Sequence, residues 1–180
     1  MPSPWILLRK AAANDPWARV PRNIREVLRN PDLAASTVEK QHIRKEERRV
    51  TGWATVVAFA DGRPIVDVHG DVITLDELES VEAELQKDTP VMGHQHTLFE
   101  GIGYFDEVFC VTRETRKWLP LAPSVPYGVL VSGVVTSPLT WALVKAGEML
   151  AFSFGGTATR EPLLLKSAFT ELRRRLRRAA

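Results

Sequence analysis

Two runs of β-branched and aromatic residues constrain this chain more than anything else in it. The character of the sequence changes at Arg48, just ahead of RVTGWATVVAF (49–59), and YGVLVSGVVT covers residues 127–136. Valine, threonine, tryptophan and tyrosine fit a pleated, half-buried surface, so both runs predict strands. Nearly seventy positions separate them, and the interval holds helix and turn signals. Several strands separated by isolated helices suggest an α+β protein built on an antiparallel sheet or barrel.

The intervening signals are local. Asp61-Gly62 predicts a turn leading into Pro64-Ile65-Val66, giving a hairpin, and His69-Gly70-Asp71 predicts a second tight connection. Thr74 with Glu77 forms a capping box ahead of Leu75, Leu78, Val81 and Leu85, so a helix is expected from Leu75 to about Lys87, stopped before Pro90. GIGYFDEVFCVT (101–112) predicts a strand in which Cys110 is buried filler. Residues 113–126, with Pro120, Pro123 and Pro126, read as a loop. Ser137-Pro138 starts a helix with its apolar stripe on Leu139, Leu143, Val144 and Ala146, ended by Gly147. MLAFSFGG (149–156) predicts a short strand, and residues 163–178 a last amphipathic helix. Five prolines between Pro2 and Pro31 make residues 1–47 a loose N-terminal arm with room only for a short helix around Asn23 to Arg29. Residues 48–160 are expected to form the main domain and 161–180 a basic C-terminal helix.

Composition narrows the function classes. The 180 residues carry a formal charge of +2, but residues 161–180 hold six basic and two acidic side chains, or +4, leaving −2 for the rest. A mildly acidic body argues against nucleic-acid binding, and the arginine tip reads as a solvated helix end. No apolar run approaches the roughly 18–20 residues of a membrane span. The start lacks the order of a secretory leader, so a soluble, intracellular protein is expected. One cysteine excludes an intrachain disulfide and any Cys-pair metal site.

Two places could carry chemistry. His94 and His96 share one face of an extended segment, and an imidazole titrates near the pH where a general base works. A metal would need a third ligand, which His69 or Asp71 could supply, although the spacing is not diagnostic. On the residues alone, ordinary loop histidines are the simpler reading. Ser153 interrupts a hydrophobic run and precedes Gly155-Gly156, whose amides could face a developing oxyanion. On composition alone, a β-bulge that turns the strand is the favoured reading. Phe152 and Phe154 flank the serine, so this is not the Gly-x-Ser-x-Gly elbow of the hydrolases.

The order of features, however, is recognisable. GWATVVAFADGRPIVDVHGDVITLDELE, then a histidine ahead of GIGYFDEVF, then WALVKAGEMLAFSFGG resembles the prohead (procapsid maturation) proteases of tailed bacteriophages, serine peptidases related in fold to herpesvirus assemblin. The resemblance covers residues 48–160. It implies a small, mostly antiparallel β-barrel of six or seven strands wrapped by helices. It implies Ser153 as nucleophile, following Lys145-Ala146-Gly147, with Ala151 where the family has a glycine. It implies His96 as base, five residues ahead of the Ile102-Gly103 pair that opens a strand, with His94 the alternative.

The third member departs from the family pattern, because no histidine follows His96 and the carboxylates after Ser153 are Glu161 and Glu171. Glu161 is the candidate there. Asp71, His69 or His94 could instead orient His96, or the site is a dyad. Gly155, Gly156 or the cation of Arg160 would stabilise the oxyanion. The implied function is processing of scaffold, major capsid protein and the protease itself inside the procapsid in the host cytoplasm, with no cofactor or metal. Assemblin-type enzymes are commonly dimeric, which allows a homodimer. The competing expectation is a non-catalytic assembly module that keeps the fold.

Overall fold

The computed structural model describes residues 15–35, 42–67, 69–87, 92–93, 102–149, 152 and 159–160. Their framework is a four-stranded antiparallel sheet in the order β1-β2-β4-β3, with β1 at His42–Arg44, β2 at Arg49–Ala58, β3 at Gly103–Val111 and β4 at Tyr127–Val135. Both long sequence runs become neighbours, β2 and β4, paired from Arg49↔Val134 to Ala58↔Tyr127. The sheet is open among the described residues, with β1 and β3 as its edges. This corrects the expected closed barrel: four strands with two free edges do not wrap far enough to meet. The α+β, antiparallel character stands.

Opposed residues in an antiparallel pair share a face, so the register sorts the core. One face carries Trp53, Leu130 and Phe109, and helices α1 (Arg22–Arg29) and α2 (Pro31–Ala34) cover it with Ile24, Val27, Leu28 and Ala34. The loose arm expected over residues 1–47 is therefore corrected for Val20 to Ala34, which supply buried core. The prolines do not prevent this. Pro31 occupies the first turn of α2, where its missing N–H costs nothing, and Asn30 caps it by accepting from the amides of Asp32 and Leu33.

The opposite face carries Val129, Val131 and Cys110, covered by Leu75, Leu78 and Leu85 of α3 (Leu75–Lys87). The capping box forms as expected: Glu77 N–H donates to Thr74 Oγ1 at 3.2 Å, and Thr74 N–H donates to Glu77 Oε2 at 2.7 Å. The hairpin around Asp61-Gly62 is short: Ala58 pairs with Pro64, Phe59 N–H donates to Arg63 O and Ile65 N–H donates to Val57 O, both at 2.9 Å. Residues 113–118 form helix α4 (Arg113–Trp118), not the expected loop. Thr112 caps it, and all three prolines follow its end. Helix α5 (Pro138–Ala146) starts at the Ser137 cap but buries Thr140, Trp141 and Val144, while Leu139 is 74% exposed. The predicted strand at 149–156 and helix at 163–178 fall on positions that lie largely or wholly outside the described residues.

Two polar arrangements bind the layers. A register shift between Phe105 and Glu107 leaves Asp106 as an extra residue, and both acids act on the α1 side. Asp106 receives Arg49 through two bonds of 2.6 and 2.7 Å, and Arg49 also donates to Ser132 Oγ, itself 2.8 Å from Thr51 Oγ1. The Asp106 hydrogen bond holds the Arg49 guanidinium above its ordinary pKa. Glu107 accepts from the backbone amides of Asn23 and Ile24 at 3.1 and 3.2 Å. Helix α1 begins at a proline without a side-chain cap of its own, so a carboxylate from the sheet does the capping. Removing it should leave amides unsatisfied at a partly buried helix start. Glu107→Ala should therefore cost about 1.5–3 kcal/mol in urea unfolding, and Glu107→Gln less.

Arg113, at the start of α4, donates to Glu79 of α3 from its amide, Nε and Nη2, and pairs with Asp76. The Arg113 side chain holds the Glu79 carboxyl below its usual range. A depressed carboxylate contributes stability that is whole above its unfolded pKa and is lost as pH falls through the folded value. Thermal unfolding between about pH 5 and pH 3 should accordingly lose less stability in Glu79→Gln than in the parent chain.

Candidate functional site

Ser153, His94, His96, Gly155, Gly156 and Glu161 all lie outside the described residues. The chain beside them is held at two described points. Met92, two positions before His94, is buried in a cluster with Ile102, Val135, Trp141 and Val144. Phe152, next to Ser153, packs on that same cluster, and its ring lies edge-on to Phe105 with centroids 5.5 Å apart. Met92, four positions before the proposed base His96, and Phe152, next to the proposed nucleophile, thus converge on one patch of the sheet.

The patch has a specific shape. Gly103 on β3 and Gly133 on β4 form a notch that takes the thioether of Met92. A Cβ added at Gly103 would stand 2.7 Å from Met92 Sδ, and one at Gly133 would stand 2.8 Å from Met92 Cε and 2.9 Å from Phe105 Cδ1. Both carbons would also strike backbone carbonyls, of Val134 and Tyr104 respectively. Real Cβ atoms do not approach so closely, which is a physical reason for glycine in strands otherwise rich in valine. Met92 and Phe152 were not singled out from sequence as anchors. The glycines at 103 and 133, in strands otherwise rich in valine, are the sequence signal for such anchors.

Of the remaining sequence candidates, His69 and Asp71 sit on the loop ahead of α3, and Arg160 reaches that loop from the far end of the chain. Asp67 Oδ1 accepts from the amides of His69 and Asp71, both at 2.8 Å, and Asp67 N–H donates to Asp71 O at 2.9 Å. The Asp71 amide, before any other group, holds the Asp67 carboxyl below its ordinary pKa. His69 is exposed, with Nδ1 3.8 Å from Asp67 Oδ2. Asp71 Oδ2 receives Arg160 Nη2 at 2.6 Å. The two side chains considered separately for the imidazole and the oxyanion are therefore bound to one another.

Other chemistry finds little support. Burial pushes the Cys110 thiol up to about 12, far from thiolate reactivity at neutral pH. Among the described residues no three His, Cys, Asp or Glu side chains are grouped to hold a metal ion, and no helix is long and apolar enough to cross a membrane. A cleft of about 390 Å³ opens between Arg19, Glu82, Phe109, Glu114 and Trp118, and none of the sequence candidates lines it. No protein-family model, curated protein or solved structure matches the chain.

The notch yields a direct test. Met92→Ala should cost about 2–4 kcal/mol in urea unfolding through the cavity it leaves. Gly133→Ala should cost at least as much. Shortening Met92 in that background should not restore stability, because the Tyr104 carbonyl still blocks the added carbon.

Proposed function

We propose that this chain is a serine endopeptidase that processes scaffold, major capsid protein and itself during procapsid maturation. The observation that carries the reading is the convergence of Met92 and Phe152 on the Gly103–Phe105–Gly133 patch. More than fifty positions separate His96 from Ser153. A nucleophile and its base must nonetheless come within about 2.6–3.2 Å, and anchoring Met92, four positions before His96, and Phe152, beside Ser153, on one surface favours such an encounter. The motif order along residues 48–160 supports the same reading, and kinship with herpesvirus assemblin is part of the proposal on that ground.

The chemistry follows the serine template. His96 Nε2 or Nδ1 takes the Ser153 hydroxyl proton as Oγ attacks the peptide carbonyl, and returns it to the departing amine. Water then hydrolyses the acyl-enzyme with the same imidazole as base. Backbone amides at Gly155-Gly156 meet the oxyanion. Glu161 is the carboxylate proposed to orient the imidazole, and without it the pair works as a dyad. The reaction needs no metal or cofactor. Confinement in the procapsid, within the host cytoplasm, raises the local concentration of protein substrates, so a slow enzyme suffices. The proposal leaves room for a homodimer.

A second reading, a non-catalytic assembly module, is favoured by two features: Ala151 stands where the resembled family has glycine, and no histidine follows His96. A fluorophosphonate probe separates the two. The peptidase reading expects labelling of Ser153, abolished in Ser153→Ala and reduced by at least about 10³-fold in His96→Ala, with both variants folded. His94→Ala should label nearly as fast as the parent. Coexpressed capsid protein should shorten only with Ser153 present. Absence of labelling and of shortening in the intact chain would leave the assembly module.

A further inference from the structure

Phe152 and Arg160 stand on either side of Ser153, and each is fixed to a different part of the fold. Phe152 is held by Phe105 at 5.5 Å between ring centroids. Arg160 is held by Asp71, whose backbone and carboxylate neighbour are themselves locked: Asp67 Oδ1 receives the Asp71 amide, and Asp71 O receives the Asp67 amide. We infer that Asp71 and Arg160 are positioning residues, an ionic tie that fixes the downstream end of the nucleophile segment while Phe152 fixes the upstream end. The inference rests on the peptidase reading for its functional consequence, but the tie itself does not.

The charges and geometry fit a tie better than the roles first considered for these residues. Arg160 at 2.6 Å from a carboxylate is a neutralised cation, ill suited to meeting an oxyanion, and Asp71 already has its cation. The pair is exposed, with the Arg160 side chain 75% accessible, so it adds little to global stability and acts locally. A segment tethered at both ends samples fewer conformations than one tethered at a single end, and a reaction that needs near-attack geometry responds to that difference.

The test uses the full chain and a fluorophosphonate probe. Asp71→Asn and Arg160→Gln should each lower the maximal rate of Ser153 labelling about tenfold with little change in the probe concentration giving half that rate. Asp71→Glu and Arg160→Lys should retain most of it, and the double variant should be no slower than either single. Amide hydrogen exchange across residues 153–160 should accelerate in Asp71→Asn while exchange in β2 and β4 stays unchanged. Exchange at the parent rate in Asp71→Asn overturns the tie. Faster exchange with undiminished labelling overturns the positioning role. If the parent chain is not labelled at Ser153, the peptidase reading falls and takes the positioning role with it, while the exchange result still decides whether the tie exists.

Discussion

Strand β4 is hydrogen-bonded on both sides and packed on both faces, and that double confinement governs the rest of the fold. Every residue from Gly128 to Gly133 is buried. Its backbone groups are satisfied by β2 and β3, leaving only side-chain volume and polarity to vary. The volumes are not interchangeable. Gly128 and Gly133 face carbonyls across the ladder, while Leu130 fills one core and Val129 and Val131 the other. The single polar side chain in that stretch, Ser132, is tolerated because Thr51 and Arg49 meet it within hydrogen-bond distance. Once β4 is set, β2 and β3 have one register available, and the two layers of helices take the faces that register provides.

Local signals carried much of this in the sequence. The Thr74–Glu77 box and the Ser137-Pro138 start are self-contained, each decided within four residues, and both form as read. Strand content was legible for the same reason, because β-branched runs have few alternatives. The readings that failed depended on distant partners. The short helix expected around Asn23 to Arg29 forms as α1, but it opens without a cap of its own and leans on Glu107, 84 positions away, so nothing local announced that it would join the core. Helix α4 has a polar sequence whose buried residue is Thr115, and its apolar neighbours Leu119 and Val125 come after it. The expected stripe on α5 holds at Val144 but not at Leu139, because Trp141 and Val144 pack with Val50 and Val135 while Leu139 faces solvent.

The proposed site was legible as a pattern of residue types and spacing, and not as geometry. A serine in a greasy run and two histidines ahead of a strand say which groups could react, but no spacing rule brings them together. The supports around them are shape and charge: a thioether in a notch made by two glycines, an aromatic edge contact, and an arginine on an aspartate. None has a sequence signature stronger than a glycine in a valine-rich strand.

The extra residue at Asp106 has a further effect on β3. Side chains along a regular strand alternate sides, so positions 105 and 109 would look the same way. Slipping one residue into the count reverses the parity, and Phe105 joins Met92 and Phe152 while Phe109 joins Trp53 and Leu130. A single edge strand thereby supplies an aromatic ring to each half of the interior. Loss of that one residue would restore even alternation and force β3 to abandon one of its two allegiances.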